Sequence, residues 1–308
     1  MGVQTESNQV VNQSLQSDFP VIYAYTAGED ILPEAFEDLP GYDPEDYSVI
    51  FDRAIEETER RFTEAFGQLS GLFEGRMPRS IGIFVDFDGG AFVSGGIASL
   101  EYGSSKPEEG RYWFICSRYL LWNYLKAVED PGHRLSFHDE ETWYHEIIHL
   151  ADHTNVLATD ALIHEDCRES MFDMHLLHHR LEGVASLWKF MTRPEPLTGM
   201  DVVRGLFKAE RSRIAPLLQA SEDGRYVHVV DQVRSGDSFY DIGPMMVMDM
   251  LVRSGDPAAA SAAGQVLTTI GEGNAVPVQL RIDVLRHALS MGNADFLRCH
   301  ADLAEMKG

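Results

Sequence analysis

Cysteine is scarce. Cys116, Cys167 and Cys299 are the whole complement of a 308-residue chain, odd in number and far apart. Such a set builds neither a disulfide framework nor a paired-thiolate metal site. Positive charge is also in short supply, with 25 Lys and Arg against 49 Asp and Glu, and only 5 of the 25 are lysine. The net charge of −24 and the pI near 4.7 make a surface that repels phosphate backbones, so nucleic acid is not the expected partner. Long apolar runs are missing as well. No stretch approaches the roughly 18 consecutive apolar residues that cross a bilayer, so no membrane partner is expected. The segment Met1–Asp18 lacks a basic stretch followed by an apolar one, and Glu6 stands where an acylation signal would want Ser or Thr. The address read from this is cytoplasmic, and oligomeric state is left open.

What is present suits a folded chain with a large core. Hydrophobic residues make up 44% and aromatics 10%, enough for one large domain or two smaller ones packed together. Residues 1–18 read as a tail. The β-branched and aromatic run Val21–Tyr25 reads as a strand, and apolar residues at helical spacing from Tyr47 to Phe73 read as a helix. A β-rich segment follows: Ile81–Phe87, a turn at Asp88-Gly89-Gly90, then Ala91–Leu100 and Tyr112–Cys116. Beyond it the chain reads as mostly helical to the end. The expected fold is α+β, with a mixed, mostly antiparallel sheet in the first half and helices in the second. The divisions fall at 19–138 for the sheet-bearing part, 139–255 for a helical part and 256–308 for a helical cap. Arg281, Arg286 and Arg298 are expected on the solvated face of that cap, and Met245, Met246, Met248 and Met250 in a helix core.

The junction carries the chemistry. Residues 139–153 read DEETWYHEIIHLADH and contain HExxH as His145, Glu146 and His149. On a helix, positions i and i+4 lie one above the other, so both imidazoles can face one ion. Glu146 sits beside them, placed to take a proton from a metal-bound water. At 100° per residue, Trp143, Tyr144, Ile147, Ile148, Leu150 and Ala151 share one arc, and His145, Glu146, His149, Asp152 and His153 share the other.

Two histidines need a third protein ligand if one position is to stay open for water. A second helix, Met174–Phe190, has an apolar stripe of Leu177, Leu181, Val184 and Trp188. On its other side are His175, His178, His179, Glu182 and Ser186. Glu182 is the leading candidate, with Gly183, Ala185 and Ser186 small enough for two helices to approach closely. Glu165, Glu169, His153, His175, His178 and His179 stand as alternatives, and Asp152 as either a group supporting the ligands or a further alternative.

HExxH followed by a helix with Glu182-Gly183-Val184-Ala185 resembles the gluzincin branch of the zincin metallopeptidases. It is similar in particular to bacterial predicted zinc proteases, in which a Tyr-x-x-Gly segment follows the Glu-Gly helix; here that segment would be Tyr240-Asp241-Ile242-Gly243. The resemblance implies a zincin-like fold, one zinc per chain on His145, His149 and Glu182, and Glu146 as the base. It further implies a twisted sheet whose edge strand, Ala91–Leu100, binds a peptide. Tyr240 is a candidate donor to the oxyanion of a tetrahedral intermediate. No glycine follows His149 to break the helix, so the metzincin pattern is absent. The histidine richness of 164–179 leaves room for a second metal or for iron or manganese, and for an enzyme that acts on a small metabolite instead of a peptide.

Overall fold

The computed structural model describes residues 21–26, 47–73, 80–86, 97–98, 111–130, 132–152, 154–155, 158–159, 171–192, 199–220 and 236–304. Helices dominate them. The strands β1 (Val21–Thr26), β2 (Ser80–Asp86), β3 (Ile97–Ala98) and β4 (Arg111–Ser117) form one small sheet in the order β1-β2-β4-β3.

This overturns the expected α+β fold with a mostly antiparallel sheet. The described chain is overwhelmingly helical, and β1, β2 and β4 run parallel; only the two-residue β3 is antiparallel, pairing with β4. The cause is the helix α1 (Tyr47–Leu69), which carries the chain from the end of β1 back to the start of β2. A crossover of that kind returns the chain in the same direction. Among the described residues the expected pairing of Ile81–Phe87 with Ala91–Leu100 is not made either: β3 pairs with β4, which lies between it and β2. Residues 88–96, including the Gly-Gly turn, lie outside the described residues.

Helix α1 buries Ala54, Phe62, Ala65, Phe66 and Leu69, the positions its apolar spacing marks for the core. The Phe62 ring meets Trp143 edge to face at 5.2 Å between centroids. That contact seats the helix carrying HExxH, α3 (Phe137–Ala151), with α2 (Arg118–Glu129) preceding it. The second ligand-bearing helix, α4 (Met171–Ala185), is followed after a turn at Ser186 by the short α5 (Leu187–Thr192). Then come α6 (Met200–Ala220), α7 (Gly236–Arg253), α8 (Pro257–Gly271), α9 (Val278–Ser290), α10 (Asn293–Cys299) and α11 (Ala301–Ala304). Asp256 starts α8 by accepting the Ala258 N–H at 2.9 Å, with Pro257 at the first helical position. One continuous apolar core runs from Ala54 to Leu303, and Met245, Met246, Met248 and Met250 are buried in it on α7.

His300 is fully buried, its Nε2 3.1 Å from the Met246 carbonyl oxygen. Burial pushes its pKa down to about 4. An ordinary histidine titrates near 6.5, so the unfolded chain binds this proton over a range where the folded chain refuses it. The stability from a neutral His300 is therefore complete above about pH 7 and declines from there towards pH 4. The expected loss between pH 7 and pH 5 is about 2 kcal/mol. Unfolding free energies from urea titrations at the two pH values should differ by that much more in the wild type than in His300→Gln.

Candidate metal centre

Three ligand atoms converge where α3 packs on α4. His145 Nε2 lies 3.0 Å from His149 Nε2 and 3.2 Å from Glu182 Oε2, and His149 Nε2 lies 3.6 Å from the same oxygen. Tetrahedral zinc with ligands at roughly 2.0–2.1 Å would hold its donors roughly 3.3–3.4 Å apart. The three observed separations bracket that value, so the donor set fits such an ion without a change of rotamer. Ser186 Oγ is 3.3 Å from His145 Nδ1. If it takes the proton of that nitrogen, Nε2 is left with a lone pair directed at the cluster. The Glu182 oxygen is buried and receives no well-aligned hydrogen bond.

The electrostatics ask for positive charge at the same point. Burial by itself would depress His149, but the Glu182 carboxylate, with Glu146 and Asp152 behind it, outweighs burial and raises the imidazole's pKa. For Glu182 burial again opposes ionisation, yet His149 and His145 hold its carboxyl well below the usual carboxylate range. The pair is thus a carboxylate facing an imidazole whose cationic form it favours.

The other sequence candidates divide sharply. Glu146 is buried and lines the cleft beside His145. Tyr240, on α7, lines the same cleft, its ring 5.7 Å from the His145 ring. Asp152 is not a ligand: the buried Arg180 guanidinium donates to it at 2.6 and 3.3 Å, and Asn155 Nδ2 at 2.7 Å. Arg180 also donates to the Met291 carbonyl at 2.8 Å. The pair bolts the end of α3 to α4, three residues past His149 and two before Glu182.

His175 and His179 are buried against the rings of Phe207 and Phe239 and do not join the ligand cluster. His178 stacks on Phe239 at 3.9 Å, and its Nε2 reaches within 4.0 Å of Glu182 Oε1. His153, Glu165 and Glu169 lie outside the described residues.

The small residues after Glu182 act differently from the expectation. Gly183 does not face α3. It meets Gly243 of α7, so closely that a Cβ on Gly183 would stand 2.4 Å from the Gly243 carbonyl carbon. Ala185 and Ser186 line the cleft instead. Tyr240 is one turn before Gly243 on the same helix, so the glycine contact that seats α7 also delivers Tyr240 to the site.

The cleft is lined by Glu141, Thr142, His145, Glu146, Ala185, Ser186, Lys189 and Tyr240. In the sequence, Glu141 belongs to the acidic run Asp139-Glu140-Glu141 at the start of the helix. Its spacing was the available signal, since Glu141, His145 and His149 are each four apart and share one face. Arg281, expected on the solvated surface, is half-buried over the Trp188 ring at 5.0 Å.

This arrangement defines a His-His-Glu candidate metal centre with a carboxylate and a phenol beside it. Comparison with protein-family models, with curated proteins and with solved structures finds no significant match. The resemblance to the gluzincins accordingly rests on the motifs themselves. No helix among the described residues is long and apolar enough to cross a membrane.

Proposed function

We propose that this protein is a zinc-dependent hydrolase, in the first place a metallopeptidase of gluzincin type. The observation that supports it most is the convergence of His145 Nε2, His149 Nε2 and Glu182 Oε2, all within 4.8 Å of one another, with His145 and Glu146 both lining the same cleft. Zinc held by these three would supply Lewis acidity, polarising a substrate carbonyl and making water acidic enough to deprotonate near neutral pH. Glu146 takes the proton of the attacking water and returns it to the leaving amine. Its burial keeps that transfer out of bulk solvent. Tyr240 donates a hydrogen bond to the developing oxyanion from the opposite wall. Ser186 orients the His145 ring, and the Arg180–Asp152 bolt keeps α3 and α4 in register.

A second reading is a metalloenzyme that uses iron or manganese on a small metabolite. It draws on His178, whose Nε2 at 4.0 Å from Glu182 Oε1 offers a further nitrogen beside the three ligands.

The deciding experiment is a peptide-library cleavage screen with zinc-loaded protein, read by mass spectrometry. Cleavage by the wild type should fall at least about a hundredfold in Glu146→Gln while bound zinc stays the same. Unchanged turnover in that variant would remove Glu146 as the base. A wild type that holds metal but cuts no peptide would favour the metabolite reading.

A further inference from the structure

We infer that Glu141 is the point in this cleft that binds a cationic group of the substrate, an ammonium or a guanidinium. The inference rests on the hydrolase reading of the site. Glu141 lies on α3 one turn before His145 and lines the cleft with it. Its Oε2 is buried with no hydrogen-bond partner, and among the described residues the side chain makes no ion pair. The cations near it act from a distance. Arg281 is engaged elsewhere, over the Trp188 ring at 5.0 Å and on the Val276 carbonyl at 2.9 Å. Lys189, across the cleft lining, contributes only a weaker attraction.

Two other withdrawn carboxylates among the described residues are provided for. Asp152 has Arg180 and Asn155, and Glu57 has Arg60 and Arg61 at 2.7 Å each. A carboxylate taken out of water without a counter-ion is costly, and the cost is recovered when a cation arrives. Burial raises the Glu141 carboxyl to about 7, with Arg281 pulling the other way, which is how a carboxyl behaves when its partner is missing. A substrate cation lying along the cleft towards His145 would supply that partner through a charge-assisted hydrogen bond. The group could be a basic side chain next to the scissile bond or a free amino terminus, and the chemistry at Glu141 is the same for both.

The test uses the full chain loaded with cobalt, whose visible spectrum reports ligand binding without turnover. Three hydroxamates are titrated: N-acetyl-lysine hydroxamate, norleucine hydroxamate with a free amino group, and N-acetyl-norleucine hydroxamate. At least one of the two cationic probes should bind tenfold or more tightly than the neutral one. Which of them does so identifies the source of the cation. In Glu141→Gln, with the cobalt spectrum intact, the advantage should shrink to threefold or less. Equal affinities of all three for the wild type would overturn the inference and leave the metal site standing. So would an advantage that survives Glu141→Gln, since it would then come from another group of the site. A protein that shows no cobalt spectrum would overturn the metal reading itself and take this inference with it.

Discussion

Purified wild-type protein should carry about one zinc per chain, and the His145→Ala/His149→Ala variant none, by inductively coupled plasma mass spectrometry. Removing two of three donors leaves Glu182 as a single carboxylate, which cannot hold zinc against water. Glu182→Ala should weaken zinc by about a hundredfold or more, because the two imidazoles at 3.0 Å lose the charge that makes the site favourable for a cation. A Glu182→Ala protein with unchanged affinity would show that the third ligand lies elsewhere. His178 would then be the next residue to replace, being the nearest further nitrogen. Arg180→Met should not mimic the ligand variants in full: it removes no donor, and its main effect is on stability, through the buried Asp152 it strands.

The second large effect is expected far from any ligand atom. In Gly183→Ala the new Cβ would stand 2.4 Å from the carbonyl carbon, 2.6 Å from the oxygen and 2.8 Å from the Cα of Gly243. Carbon atoms in good contact sit about 3.5–4.0 Å apart, and the obstacle here is backbone, so no side chain can rotate away. Helices α4 and α7 must part by about an ångström. Overpacking of this kind costs about 3 kcal/mol or more. The Tm should fall by about 5–10 °C. Zinc affinity should fall with it, because Glu182 precedes the altered residue and Tyr240 rides on the displaced helix. Gly205→Ala is the control. Nothing lies within 4 Å of where its Cβ would be, so alanine in the exposed α6 should stabilise by about 0.5–1 kcal/mol. If Gly183→Ala melts like the wild type, the close helix contact does not exist.

That glycine contact also gives a physical reason for two motifs 57 residues apart to occur together. Glu182-Gly183 and Tyr240-x-x-Gly243 are the two halves of one crossing: the glycines touch, which brings Tyr240 to the cleft that His145 lines, while Glu182 reaches the Nε2 of that same histidine. Nothing in either segment read alone announces this.

The local part of the site was legible in the chain. A spacing of four places His145 and His149 on one face of a helix whatever surrounds it, and the two-faced pattern of residues 143–152 separates the arc that joins the apolar core from the arc that carries the ligands. Trp143, Ile147, Ile148 and Leu150 are indeed in the core. Glu182 could be ranked first by its helix face and by the ligand count. Tertiary structure decided whatever depends on a partner distant in sequence. Strand direction was one such matter: period-two patterns mark strands but carry no sign for parallel or antiparallel, and the α1 crossover imposed the parallel pairing. The fate of Asp152 was another, because a carboxylate on the polar arc is equally a metal ligand or an ion-pair partner until Arg180 is seen against it. The bare carboxylate of Glu141 was a third. Helical periodicity is a property of one segment, whereas pairing, burial and charge neutralisation belong to two segments at once, and only folding brings the second one into place.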